Sequence, residues 1–222
     1  MITFKVLAAL LTYPEQDMLD ALPELEQALD ADRLLGRESR RALGQLFGEL
    51  RRGDLMALQE NYVGLFDRVR SLSLHLFEHV HGESRDRGQA MVDLRALYAA
   101  HGCELATDEL PDFLPAFLEF LSYRPLAEAR PLLADAARII ENIGARLKKR
   151  ASSYSAVFAA LLDLSGEGDI TASVIADEDI RREDDLALLD KAWQEEPVTF
   201  GPGAAPAAPA VAPVRIHRRG SQ

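Results

Sequence analysis

The segment LMALQENYVGLF, Leu55 to Phe66, sets Leu55, Leu58, Tyr62, Leu65 and Phe66 at steps of three and four residues. An α-helix turns about 100° per residue, so this spacing gathers the five side chains on one face and leaves the polar ones on the other. Met91, Leu94, Leu97 and Tyr98 repeat the pattern further on. Working outward, the same period recurs almost everywhere, while alternating runs of β-branched residues are nearly absent. Pro14, Gly36, Gly53 and Pro125 break the chain between helical stretches. Ser84 is placed to cap a segment running to Gly102, and Gly166 lies beyond AVFAALLDL, where a left-handed C-cap belongs. The reading is all-α: a single-domain helical bundle of about eight to eleven helices, with residues 1–166 as its core.

A chain of 222 residues that is 48% hydrophobic can bury one sizeable core. Its 36 acids against 25 bases leave a net charge of -11. That charge repels nucleic acid and anionic lipid surfaces, so a neutral or basic partner is expected. Cys103 is the single cysteine, which rules out an internal disulfide and leaves no cysteine array for structural zinc or iron–sulfur ligation. The first residues, MITFKVLAALLTYPEQD, carry one lysine before a short apolar run and then Pro14 and acids, which reads as a buried first helix rather than a secretion signal. No apolar run reaches the roughly 20 residues that span a bilayer. A cytoplasmic location without membrane insertion is expected.

Past residue 166 the composition changes. Residues 167–196 hold eleven acids and three bases, a net of -8 within thirty residues. The segment 167–200 is read as an acidic, partly helical extension. GPGAAPAAPAVAPV from Gly201 lacks the apolar side chains that would offset ordering entropy, so 201–222, ending in RIHRRGSQ, is expected to be a disordered tail with a basic end.

The stretch HLFEHVHGESRDRG, His75 to Gly88, contains H-x-x-E-H in His75, Glu78 and His79, a spacing that some peptidases use to hold zinc. On a helix the two histidines would lie about 40° apart, beside a stripe of Val69, Leu72, Leu76 and Val80. A hydrolytic centre also needs a third protein ligand and an open position for water, and no downstream motif supplies the ligand. Histidines hydrogen-bonded at the edge of the core are the plainer reading. No GxSxG elbow or phosphate-binding glycine loop is present. Neither a catalytic set nor a bound cofactor is expected.

What stands out is the polar loop itself. It places Glu78, His79, His81, Glu83, Arg85, Asp86 and Arg87 around two glycines between apolar segments. Such a loop is either a self-contained ion-pair network or a recognition surface. Tyr62, Phe66, Phe113 and Phe117, with Phe120 and Tyr123, are candidates for an apolar groove beside it, although aromatic residues at this spacing suit a core equally well.

The block YVGLFDRVRSLSLHLFEHVHGESRDRGQAMVDL (Tyr62 to Leu94), followed by ELPDFLPAFLEFLS (Glu109 to Ser122), resembles the NarJ family, the delta-subunit assembly chaperones of respiratory nitrate reductase. The likeness begins at LLTYPEQ and returns in AWQEEPVTF, covering most of residues 1–200. It implies the all-α fold of redox-enzyme maturation chaperones and a specific client: the N-terminal segment of the nitrate reductase catalytic alpha subunit, held competent for molybdenum cofactor insertion. The loop motif of that wider group is matched here to HVHGESRDR. The chain departs from the family pattern at His75, where an aliphatic residue is expected, and at Val69, where glycine is expected. The first departure makes His75 look incidental. A generic α-helical interaction module and a zinc-dependent hydrolase are the competing readings.

Overall fold

The computed structural model describes residues 1–80, 85–105 and 109–166. All of them belong to the first of two units, Met1–Asp185 and Leu186–Gln222. The acidic segment 167–200 and the tail 201–222 lie outside the described residues. Among the described residues there are ten α-helices and one isolated antiparallel bridge, so the all-α expectation is met.

Five helices occupy the first third of the chain: α1 (Ile2–Leu10), α2 (Gln16–Asp20), α3 (Leu22–Asp32), α4 (Arg37–Arg52) and α5 (Leu55–Tyr62). Helix α6 (Arg85–Ala100) follows the polar loop, and α7 (Leu114–Ser122), α8 (Leu126–Asp135), α9 (Ala137–Lys149) and α10 (Ser155–Ser165) complete the bundle. The breaks fall at the anticipated residues: Gly36 precedes α4, Gly53 ends it and Pro125 precedes α8. Gly166 ends α10 with φ of 82°, a left-handed conformation that glycine adopts without the steric cost of a Cβ.

Helices that are apolar around most of their circumference lie inside. Helix α1 buries Phe4, Val6, Leu7 and Leu10 against α7 and α3, and α10 buries Val157, Phe158, Leu161 and Leu164 against α9, α4 and α8. Helix α4 is two-faced: Leu43, Leu46, Phe47 and Leu50 point inward, and the arginines lie at partly or fully exposed positions. Each fully buried Leu or Phe contributes about 1.5–3 kcal/mol through removal of apolar surface from water.

The Leu55–Phe66 stripe folds as anticipated at its start. The Asp54 carboxylate accepts from the Ala57 N–H at 3.3 Å and caps α5. After Tyr62 the chain widens into a π-helical turn, Val63–Asp67. Tyr62 and Phe66, groove candidates in the sequence, are each 5% exposed and belong to the core. Their rings lie 5.0 Å apart, Phe66 meets Tyr154 edge-on at 5.2 Å, and the Tyr62 hydroxyl donates to the Leu11 carbonyl at 2.8 Å. Burial on all sides gains more for these large rings than a groove edge would. Phe117 is likewise buried within α7.

One further expectation is corrected. Residues 69–80 do not form a helix; Arg70–Leu72 and Leu76–Glu78 are single 3-10 turns, with extended backbone at Val69 and His75. The Met91, Leu94, Leu97, Tyr98 stripe of α6 faces the bundle as expected and is half-buried until its end, where Tyr98 is buried and stacks on Phe120 with centroids 4.6 Å apart. Leu94 and Leu97 are half-buried and Val92 is exposed, so α6 leans on the bundle by its C-terminal half.

Candidate functional site: a carboxylate staple between two cavities

The break at residues 73–77 has a long-range cause. Asp112, fully buried, stands just before α7 and accepts twice through its side chain: from the Phe77 N–H at 3.0 Å and from His75 Nδ1 at 3.2 Å. Its own carbonyl accepts from the Leu76 N–H at 3.0 Å, and the Leu114 N–H donates to the Leu74 carbonyl at 2.8 Å. Together these bonds form the antiparallel bridge His75–Phe113 and pull the segment away from helical geometry. His75, which the family pattern made look incidental, is therefore the partner of a buried carboxylate. The sequence signal for it was a lone acid, Asp112, inside the apolar block LPDFLPAF (Leu110 to Phe117).

The remaining histidine of the H-x-x-E-H pattern points elsewhere. His79 Nε2 donates to the Ser73 carbonyl at 2.8 Å. One imidazole is thus bound to Asp112 and the other to backbone, so the pair does not converge on an ion. Among the described residues no group of three or more His, Cys, Asp or Glu side chains could hold a metal. Glu78 pairs with Arg87 at 3.3 Å across the polar loop, and Asp86 is exposed. His81, Glu83 and the Arg85 side chain lie outside the described residues.

The two histidines titrate in opposite directions. The hydrogen bond to Asp112 raises the pKa of His75 above its ordinary value against the opposing effect of burial, whereas burial lowers that of His79. The stabilisation from His75 is fully present below the unfolded-state value of about 6.5 and is lost as pH rises through the raised folded value. That from neutral His79 is present above about 6.5 and is lost as pH falls through its lowered folded value. Denaturant titrations of wild type and His75→Gln across this range should give a stability difference that is larger at pH 6 than at pH 9. A pH-independent difference would remove the charged pair from the account.

The bridge has one partner lining each of two cavities. Phe113 lines a groove of about 1170 Å³ bounded by α1, α2, α3, α7 and the turn after α6. Small side chains, Ala8 and Ala9 of α1, Ala21 before α3 and Ala116 of α7, leave this space open. Tyr98, Phe120 and the 54%-exposed Tyr123 supply aromatic surface, and Asp17, Glu104, Glu109 and Glu119 outnumber Lys5 and Arg124 among its charged groups in the described residues. Lys5 is itself engaged, donating to the Tyr123 hydroxyl at 3.2 Å. Of the sequence candidates, only Phe113 lines this groove together with Phe120 and Tyr123; the alanine floor was missed because alanine carries no signal of its own. His75 lines the second cavity, about 480 Å³, together with Phe66, Glu78 and Arg87.

Over residues 15–160 the sequence matches the family described as nitrate reductase delta subunit. The chain belongs to that family. Among delta-subunit relatives, it is 44% identical over 203 residues to the nitrate reductase molybdenum cofactor assembly chaperone NarJ of Escherichia coli (strain K12), covering 90% of this chain and 85% of that protein. It is 41% identical over 200 residues to the probable nitrate reductase molybdenum cofactor assembly chaperone NarW of the same strain, covering 88% and 82%. The fold of this delta-subunit relative superposes with a TM-score of 0.51 on a crystal structure described as "Putative Redox Enzyme Maturation Protein" from Archaeoglobus fulgidus, at 21% identity over 72% of this chain and 91% of that one. At that identity the likeness speaks for the fold alone. Among the described residues no helix is long and apolar enough to cross a membrane.

Proposed function

We propose that this chain is a system-specific maturation chaperone for a respiratory nitrate reductase, acting in the cytoplasm and without catalytic activity of its own. Its client contact is the N-terminal segment of the catalytic alpha subunit, which it holds open to molybdenum cofactor insertion. The observation that carries this reading is the alanine-floored groove with its excess of carboxylates, in a chain whose relatives are named as assembly chaperones of that enzyme. A groove of this shape receives apolar side chains of a bound segment, while the carboxylates attract its basic residues. Asp86 and the loop residues His81, Glu83 and Arg85 are included among the proposed client contacts, whereas Tyr62, Phe66 and Phe117 belong to the core.

Calorimetry of the full chain against a synthetic peptide of the client's N-terminal segment tests this directly. Saturable binding with a negative heat-capacity change is expected, because apolar surface is buried. A generic interaction module would bind scrambled peptides of the same composition equally well, and that outcome would sink the assignment. Stopped-flow measurements add a kinetic signature. The association rate should fall as ionic strength rises, while the dissociation rate changes much less.

A further inference from the structure

The smaller cavity has a chemistry distinct from that of the groove. Its lining, among the described residues, carries Arg68, Arg70 and Arg87 against Asp67 and Glu78, so basic groups predominate among them in a chain whose net charge is -11. Arg87 is braced by Glu78. Arg68 and Arg70 are exposed and form no ion pair with any carboxylate of the described residues. They flank Val69, between the π-helical turn and the following 3-10 turn, and both line this cavity.

The remaining lining groups are donors held in place. The Ser73 hydroxyl, 6% exposed, accepts from the His75 N–H at 3.2 Å, so its own hydrogen remains available to donate. His75 has Nδ1 committed to Asp112 and its ring set against Phe113 at 5.3 Å; in the imidazolium form that Asp112 favours, the Nε2–H is left to donate. Planar guanidinium groups match the oxygens of a phosphate with paired hydrogen bonds, and hydroxyl and imidazole donors complete such a set. A volume of about 480 Å³ exceeds what one inorganic phosphate fills and lies within the range of small-ligand sites.

We propose that this cavity binds the phosphate or diphosphate group of a small molecule through Arg68, Arg70, Arg87, Ser73 and His75. The assignment rests on the cavity alone and is independent of the peptide groove. Glu78 is paired with Arg87, and Asp67 is the further opposing charge among the described lining residues, limiting the affinity.

The test is calorimetric titration of the full chain with inorganic phosphate, inorganic pyrophosphate, a nucleoside diphosphate and, as a carboxylate control, glutarate, at low ionic strength. Pyrophosphate should bind at least about tenfold more tightly than glutarate, and the Arg68→Ala/Arg70→Ala double variant should weaken it at least about tenfold without altering the circular dichroism spectrum. Asp67→Asn should strengthen it. Tighter binding of the nucleoside diphosphate than of pyrophosphate identifies a ligand with an organic part, and equal binding identifies a free phosphate species; either supports the site. Absence of pyrophosphate binding, equal affinity for glutarate, or wild-type affinity in the double variant each overturns the assignment.

Discussion

Replacing Asp112 by alanine is expected to lower the thermal midpoint by about 6–20 °C, the equivalent of roughly 3–5 kcal/mol for a chain of this size. The change removes both side-chain acceptors at once. The Phe77 N–H loses its partner, and His75 loses the carboxylate that favours its charged form. An unpaired buried donor alone costs about 1–3 kcal/mol, and breaking a buried charged pair adds to it. Asp112→Asn keeps an acceptor for Phe77 and should cost about half as much, while abolishing the pH dependence associated with His75. Differential scanning calorimetry of the three proteins decides the matter. A midpoint for the alanine variant within about 2 °C of wild type would show that the backbone bonds of the His75–Phe113 bridge suffice without the carboxylate.

Filling the groove should affect binding as strongly as removing Asp112 affects folding. Ala116 lies on α7 at a half-buried position facing the groove, so Ala116→Trp places an indole where an apolar anchor of the client segment is expected to sit. The loss of one central anchor in an interface is worth about 2–4 kcal/mol, so peptide affinity should fall about 30-fold to several hundred-fold. The helix itself is not disturbed, and helical content should stay at the wild-type level. Ala116→Ser, which leaves the groove open, should bind normally. Unchanged affinity in the tryptophan variant would place the client elsewhere on the molecule and refute the groove as its seat.

The helical architecture could be read from the chain because its causes are local. The three- and four-residue spacing of Leu55, Leu58, Tyr62 and Phe66, together with Gly36, Gly53, Pro125 and Gly166 at helix ends, depends on backbone geometry that neighbouring residues set. The resemblance carried by FEHVHGESRDRGQAMVDL was likewise a property of the linear sequence, and the family match bears it out.

Tertiary structure decided what local spacing leaves open. Val69, Leu72, Leu76 and Val80 have helical spacing, yet the segment bends into separate turns because Asp112, 35 residues beyond Phe77, takes the Phe77 N–H and His75 Nδ1. No short-range pattern encodes a partner at that separation. The same holds for the aromatic residues: periodicity places Tyr62, Phe66 and Phe117 on a face, but only the elements packed over that face determine whether it is core or groove. The groove and the arginine-lined cavity are spaces between elements distant in the chain, and so they exist only once the helices have assembled.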